Sequence, residues 1–455
     1  MLLFIQFTGR IVSKLTKSIV AIIGRPNVGK SAFFNFLIGK RISIVQDTPG
    51  VTRDRIYQEC EWRDRDFILV DTGGIEDKSS DHIFTHMKKQ AEVAIDMADV
   101  IILMTDIKSG VTAGDMDVAA LLHKAGKPVV VAVNKVDQPG DPPLELYEFY
   151  NLGLPDIFPV SAIHGLGIGE LLDKVYEHFP EEKEEEKILN NINVAIIGKP
   201  NSGKSLLLNK LTGEDRAIVS SVAGTTRDAL DAFVQFEERG YTFIDTAGIR
   251  RSSKIFSDIE KYSVIRSFSA IDRSDVCILM VDAKEGISEQ DSKIAGYAHD
   301  QGKAIIVALN KWDLVEKDTK TYNQHVDSVR LELPFMLYAP VISISSLTGK
   351  RLQNLFPLIN RVYENSMRRI PTGVLNDILN EAVLSVQPPS DKGRMLRIYY
   401  MTQTSTQPPT FVLFINDRTL MHFSYERYIL NSLREAFDFE GTPIHFILRE
   451  REKNR

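Results

Sequence analysis

Two short segments, GRPNVGKS from Gly24 to Ser31 and GKPNSGKS from Gly198 to Ser205, combine the residue types that a nucleotide phosphate chain needs. Small residues let backbone N–H groups turn inward around an anion, the N-terminus of a following helix adds a positive field, and a lysine supplies a full charge. In this reading Gly24, Asn27, Val28, Gly29, Lys30 and Ser31 form one cradle, and Gly198, Asn201, Ser202, Gly203, Lys204 and Ser205 form the other. Lys30 and Lys204 serve the β and γ phosphates, while Ser31 and Ser205 each offer a hydroxyl to Mg²⁺. One such segment is a moderate signal because glycine-rich turns are common; two in the same context are a strong one.

Four further pairs extend the pattern. Asp71-Thr-Gly-Gly74 and Asp245-Thr-Ala-Gly248 place a carboxylate where it can hold the metal through water, and a glycine N–H, of Gly74 or Gly248, where it can sense the γ-phosphate. Thr52 and Thr226, in GVTRD and GTTRD, are placed to contact Mg²⁺ and the γ-phosphate only in the triphosphate state; the alternative is a plain polar loop residue. Asn134-Lys135-Val-Asp137 and Asn310-Lys311-Trp-Asp313 set base choice. One carboxylate, Asp137 or Asp313, accepts both N–H donors of guanine, whereas adenine leaves a buried acceptor unpaired. Ser161-Ala162 and Ser345-Ser346 then stand where backbone N–H groups meet the guanine oxygen, although such a pair after a strand is also an ordinary turn.

The elements that must position these residues repeat with them. Gly24 and Gly198, Lys30 and Lys204, Thr52 and Thr226, and Asp71 and Asp245 are each 174 residues apart; the spacing becomes 176 at Asn134 and Asn310 and 184 at Ser161 and Ser345, so loops alone have grown. Short apolar runs read as strands buried on both faces of a parallel sheet: 19–23, 67–70, 100–105, 129–133 and 157–160 in the first copy, and 194–197, 241–244, 276–281, 305–309 and 341–344 in the second. The signatures follow these strands at their carboxyl ends, the edge where open α/β sheets bind ligands.

The fold class is therefore α/β, two tandem domains with mainly parallel sheets and helices on both faces, plus a C-terminal α+β piece. The boundaries read as an N-terminal extension over 1–18, a first domain over 19–180, an acidic linker EEKEEEK within 181–191, a second domain over 192–364 and a third over 365–455. In the third, Leu375, Ile378, Leu379 and Ala382 mark an amphipathic helix, strands are expected over 395–401 and 411–415, a helix over 425–437 and a last strand over 444–448.

Bulk properties narrow the partners. A net charge of −6 argues against a protein that coats nucleic acid along its length, so any RNA contact is local and no DNA partner is expected. No apolar run reaches the ~20 residues that span a bilayer. The apolar start, Met1 to Phe7, is followed by Arg10, Lys14 and Lys17 rather than a small-residue cleavage site, and is read as a non-functional extension. Cys60 and Cys277, the only cysteines, are read as buried hydrophobes in a reducing compartment. A soluble, cytoplasmic monomer is expected.

The tandem GRPNVGKS…DTPGVTRD…DTGG…NKVD and GKPNSGKS…AGTTRD…DTAG…NKWD resemble the bacterial double-GTPase family called EngA or Der, an Era-type branch of P-loop GTPases. IEKYSVIRS, PPTFVLFIND, FSYERY and EGTPI are similar to that family as well, and the resemblance covers about Ile19 to the C-terminus. It implies Mg-dependent GTP hydrolysis, GTP and GDP as ligands, a C-terminal KH-like domain and a role in maturing the large ribosomal subunit, with rRNA and ribosomal proteins as partners. A scaffold that binds guanine nucleotide with little hydrolysis is the alternative, and a membrane or tRNA-modification GTPase a third. Ile75 and Ile249 follow the Asp-x-x-Gly segments where Ras-type enzymes carry a water-orienting glutamine, so slow intrinsic hydrolysis is expected. Related Era-type enzymes use a potassium ion held partly by a P-loop asparagine; Asn27 and Asn201 match, or else they shape the turn. No G-x-x-G occurs after Ser366, so the third domain is either a docking piece or an RNA contact made by a composite surface, with Arg368, Arg369, Arg394 and Arg397 at phosphates or simply in solvent.

Overall fold

Segments such as VIILMTD and AIIVALN succeed as strands because every residue can be buried: all seven positions of Val100–Asp106, of Val276–Asp282 and of Ala304–Asn310 are buried. The computed structural model describes residues 17–39, 57–63, 65–71, 91–92, 94–95, 97–140, 143–180, 191–213, 231–237, 239–244, 260–391 and 393–450. The chain divides into two units, 1–186 and 187–455.

The first unit holds strands β1 Ser18–Gly24, β2 Tyr57–Trp62, β3 Arg65–Asp71, β4 Val100–Asp106, β5 Val129–Asn134 and β6 Asp156–Pro159, and helices α1 Lys30–Gly39, α2 Ala113–Ala125 and α3 Ile168–Glu177. The sheet order is β2-β3-β1-β4-β5-β6, and only β2 runs antiparallel to its neighbour. Register aligns Ile22 with Asp71, Gly24 with Met104 and Asp106 with Asn134, so the carboxyl ends of four strands meet along one edge. Val20, Ile22, Phe33, Leu37, Phe67, Ile102 and Leu171 are among the residues of the core beneath it.

The second unit repeats this plan with β7 Asn191–Ile197, β8 Ala232–Phe236, β9 Arg239–Phe243, β10 Val276–Asp282, β11 Ala304–Asn310 and β12 Val341–Ser343 in the order β8-β9-β7-β10-β11-β12. Its helices are α4 Lys204–Gly213, α5 Glu260–Arg273, α6 Glu289–Asp300, α7 Thr321–Glu332 and α8 Leu355–Met367. Each sheet thus carries a sixth, edge strand, β2 or β8, beyond the five expected from apolar runs. YQECEW and AFVQF are only partly buried, so no continuous apolar run announces them.

The chain then forms α9 Thr372–Ser385, a short hairpin of β13 Ser390–Asp391 and β14 Arg394–Met395, β15 Ile398–Ser405, β16 Thr410–Ile415, α10 Phe423–Ala436 and β17 His445–Glu450. β15 pairs antiparallel with β16, and β16 parallel with β17. The strand expected over 395–401 is two elements: Met395 pairs with Ser390, and the long strand starts only at Ile398 and runs on to Ser405. Leu375, Leu379 and Ala382 pack α9 onto the sheet together with Tyr425, Ile429 and Leu433 of α10. This body is tied to the second sheet through Gly441, whose N–H donates to Tyr338 O at 2.8 Å and whose carbonyl accepts from Ile305 N–H at 2.7 Å. Gly441 has φ 78°, and a Cβ there would lie 2.2 Å from Val362 Cγ1, so glycine is required on both counts.

Cys60 and Cys277 are free and buried, and burial pushes their thiols up to about 12 and about 11. Among the described residues no helix is long and apolar enough to cross a membrane.

Candidate nucleotide sites

The loop after β1 enters α1 at Lys30 and the loop after β7 enters α4 at Lys204, so each candidate cradle ends on a helix N-terminus whose unpaired N–H groups favour an anion. Asn27 and Asn201 stand in the left-handed region at φ 67° and 62°. Asparagine tolerates that conformation, so turn formation by itself accounts for the residue type at both positions. Gly29 and Gly203 have φ near 100°, and a Cβ on either would approach the side-chain amide of Asn134 or Asn310 to 2.2 or 2.1 Å. Val28 and Ser202 are buried on the protein side of the loop, which leaves their backbone rather than their side chains to face a ligand.

Lys30 Nζ donates to Gly24 O at 2.7 Å and Arg25 O at 2.8 Å, and Lys204 Nζ to Gly198 O at 2.6 Å and Lys199 O at 2.7 Å. Both ammonium groups are held over their own loops, within reach of a phosphate seated there. Burial pushes Lys204 down to about 8. Ser31 Oγ donates to Asp71 Oδ2 at 3.5 Å across the gap between α1 and β3. Two hard oxygen donors at that separation, one from a helix start and one from a strand end, are a donor set suited to Mg²⁺. Ser205 occupies the same position in the first turn of α4.

Asn134 and Asn310 act as struts. Asn134 Nδ2 donates to Val28 O at 2.7 Å while its Oδ1 accepts from Ala162 N–H at 2.9 Å. Asn310 Nδ2 donates to Ser202 O at 2.8 Å, and its Oδ1 accepts from Ser346 N–H and Oγ–H, both at 2.9 Å. A buried amide therefore fastens the phosphate cradle to the Ser-Ala or Ser-Ser loop in each copy. Asp137 accepts from Ser161 Oγ at 2.8 Å and from Lys108 Nζ at 3.3 Å, and these partners, Ser161 first, hold its carboxyl below the ordinary range. Asp313 is exposed at the corresponding place. Ser161 and Ser345 are buried and bridge to Leu166 and Lys350.

Two acidic pairs emerge that motif reading passes over. Lys135 Nζ bonds Asp106 Oδ2 at 2.6 Å, and Lys311 Nζ bonds Asp282 Oδ2 at the same distance; Lys135 and Lys311 both have φ > 0. Each lysine ammonium is thereby tethered to the carboxylate that ends the neighbouring strand, β4 or β10. Burial raises Asp282, but the Lys311 ammonium and the Lys284 backbone N–H outweigh it and hold its carboxyl low. Deeper, Asp115 caps α2 with Thr112 and accepts from Arg25 Nε at 3.0 Å, while Asp291 caps α6 with Ser288 and accepts from Lys199 N–H at 2.9 Å. Both pairs keep the 176-residue spacing of Asn134 and Asn310, which was the signal available in the sequence.

The structure thus brings together the cradle residues, Ser31 with Asp71, and the Asn-Lys-x-Asp segments with the Ser-Ala and Ser-Ser loops. Thr52, Gly74, Thr226, Asp245 and Gly248, with Ile75, Ile249 and the acidic linker, lie outside the described residues. Of the four arginines considered for phosphates, Arg368 bonds Asn365 and Arg394 pairs with Asp417, while Arg369 and Arg397 are exposed.

Comparison with known proteins decides the family. A model described as a 50S ribosome-binding GTPase matches residues 19–135 and 193–311, and one described as the C-terminal KH-domain-like region of EngA bacterial GTPase enzymes matches 369–449. The chain is 61% identical over 439 residues to GTPase Der of Acetivibrio thermocellus, covering 96% of this chain and 100% of that protein. The chain belongs to the Der (EngA) family of GTPases. A second Der protein, from Ruminiclostridium cellulolyticum, is 59% identical over 437 residues, covering 96% of this chain and 99% of that one. A solved structure of a variant of Era from Aquifex aeolicus bound to GDP and aluminium fluoride matches 58% of this chain and 93% of that chain at 22% identity and a TM-score of 0.29. This chain carries two P-loop GTPase domains followed by a KH-like domain.

Proposed function

We infer that this Der-family GTPase is a GTP-hydrolysing switch with two guanine-nucleotide sites, acting as a monomer in the cytoplasm on the maturing large ribosomal subunit. The observation that carries the reading is the paired asparagine strut: in both copies one buried side chain links the phosphate cradle to the loop at the base end. Occupancy of either end then biases the other. Three working bodies, 19–180, 192–364 and 365–455, joined by the acidic linker within 181–191, carry the switch.

In this account the loop N–H groups with Lys30 and Lys204 neutralise the β and γ phosphates, and Asp137 and Asp313 select guanine. Ser31 and Asp71 in the first site, and Ser205 and Asp245 in the second, would hold Mg²⁺, which when bound neutralises charge on the β and γ oxygens. Thr52 and Thr226, with Gly74 and Gly248, read the γ-phosphate. Ile75 and Ile249 cannot orient water by hydrogen bonding, so a further charge has to assist, and potassium at Asn27 and Asn201 is the proposed source. The same two isoleucines favour the second reading, a guanine-nucleotide scaffold with little turnover of its own.

GTP turnover by the full chain, with and without large ribosomal subunits, in KCl against NaCl separates these. Turnover that rises in KCl and again with subunits is expected. Equal rates in the two salts would remove the potassium role, and no phosphate release under any condition would leave the scaffold.

A further inference from the structure

The stretch between Asp137 and Ser161 is where the two copies part company: these residues are 24 apart here, and Asp313 and Ser345 are 32 apart. In the second copy the interval holds the α-helix α7. In the first it holds a nine-residue 3-10 helix, Leu144–Leu152, which is long for that type. Its i to i+3 bonds are in place at both ends, Leu146 N–H to Pro143 O and Gly153 N–H to Tyr150 O, each at 3.0 Å.

Three residues per turn stack positions i, i+3 and i+6 in straight columns. One column, Leu146, Phe149 and Leu152, is buried. A second, Glu145, Glu148 and Asn151, is polar and exposed. The third, Leu144, Tyr147 and Tyr150, is apolar yet 82%, 63% and 55% exposed, with the two tyrosine rings at 6.1 Å and 21° to one another. Folding needs only the first column. A row of large apolar side chains left in water next to carboxylates marks an interaction surface, and tyrosine is among the residues enriched in such surfaces.

The charge selects the partner. The helix itself carries Glu145 and Glu148 and no lysine, arginine or histidine, whereas α7 of the second copy intersperses His325 and Arg330 among its acids; Asp137 and Asp156 on either side are already paired, with Lys108 and with Lys174 and His178. The exposed Glu145 and Glu148 repel phosphates, which removes an RNA backbone as the occupant. Cationic side chains are attracted to the carboxylates and to the faces of the tyrosine rings. We propose that the Leu144–Tyr147–Tyr150 column of the first GTPase domain docks a lysine- and arginine-rich protein segment. The proposal does not depend on the ribosomal reading.

The test is fluorescence anisotropy of a labelled decapeptide of arginine and leucine with the full chain, against labelled poly(U) as competitor. Tyr147→Ala with Tyr150→Ala should weaken peptide binding about tenfold and leave GDP binding and GTP turnover unchanged. Tyr147→Phe with Tyr150→Phe should keep it within about twofold, since the ring faces remain. Glu145→Gln should weaken it at low salt and lose its effect at high salt. The proposal is overturned by a peptide affinity that ignores the alanine pair and Glu145→Gln, by poly(U) binding that needs the tyrosines, or by a self-association of the chain that the alanine pair abolishes while the peptide still binds. Should the alanine pair fail to fold, the phenylalanine pair and Glu145→Gln still decide.

Discussion

Lys204 links the second site to pH. Its ammonium is pushed down to about 8 by burial, while an unfolded lysine keeps its proton to about 10.5. The folded chain therefore binds fewer protons between those values, so this group's contribution to stability is present above about 10.5 and lost as pH falls through about 8. Phosphates restore the charged form, so nucleotide binding above about pH 8 must take up a proton. Calorimetry of GDP binding at pH 8.5 in two buffers of different ionisation enthalpy, with the first site silenced by Lys30→Ala, should show uptake of more than about half a proton and weaker binding than at pH 7; no uptake would mean Lys204 is already charged. Asn310 gives a second residue-scale test. Asn310→Ala leaves Ser202 O and Ser346 N–H without their buried partner, at about 1–3 kcal/mol for each lost pairing. GDP affinity at that site should fall at least about thirtyfold; a loss under about threefold would deny the strut its role. The sequence displayed Asn310 plainly but as a base-selecting motif. Its strut role depends on two loops more than thirty residues away in either direction, which only the fold brings together.

At the scale of elements, the strands with buried carboxyl ends were legible because a parallel sheet buries both faces, and the signatures followed them. The edge strands β2 and β8 were not, since most of their residues are only half-buried, YQECEW mixes charge with apolar residues and Gln235 interrupts AFVQF. The break at Leu396–Arg397 within the expected 395–401 strand was hidden for another reason: Arg397 N–H bonds Asn416 Oδ1, and the Met395 carbonyl accepts from Asn416 Nδ2, so a partner distant in sequence sets the local path. The loop from β1 to α1 offers the sharpest element-scale test. Gly29→Ala strains φ 100° and drives a methyl into the Asn134 amide. Titration with GDP should then show one site per chain where the parent shows two. Two sites of unchanged affinity would mean that the loop relaxes without cost.

At the scale of the molecule, the second GTPase domain and the KH-like domain share Gly441, whose N–H and C=O bond Tyr338 and Ile305, and Arg434, which stacks 4.7 Å over the Tyr338 ring while donating to Phe439 O and Thr442 O. Ile305 is the second residue of β11, the strand that ends at Asn310, so a single strand runs from the domain junction to the base end of the second site. In the proposed switch, β11 is the route by which a change of nucleotide at that site would reach the KH-like domain. The sequence conveyed two candidate sites and a third body; the contact between β11 and the third body became visible only once Gly441 was found against Ile305. The central claim is that these sites act as inputs to one switch on the ribosome. Co-sedimentation of the full chain with large ribosomal subunits, in a non-hydrolysable GTP analogue, in GDP and without nucleotide, tests it most directly. The account predicts strong binding in one nucleotide state and release in another, with Gly29→Ala and Asn310→Ala each shifting the pattern; equal binding in all three conditions would contradict it.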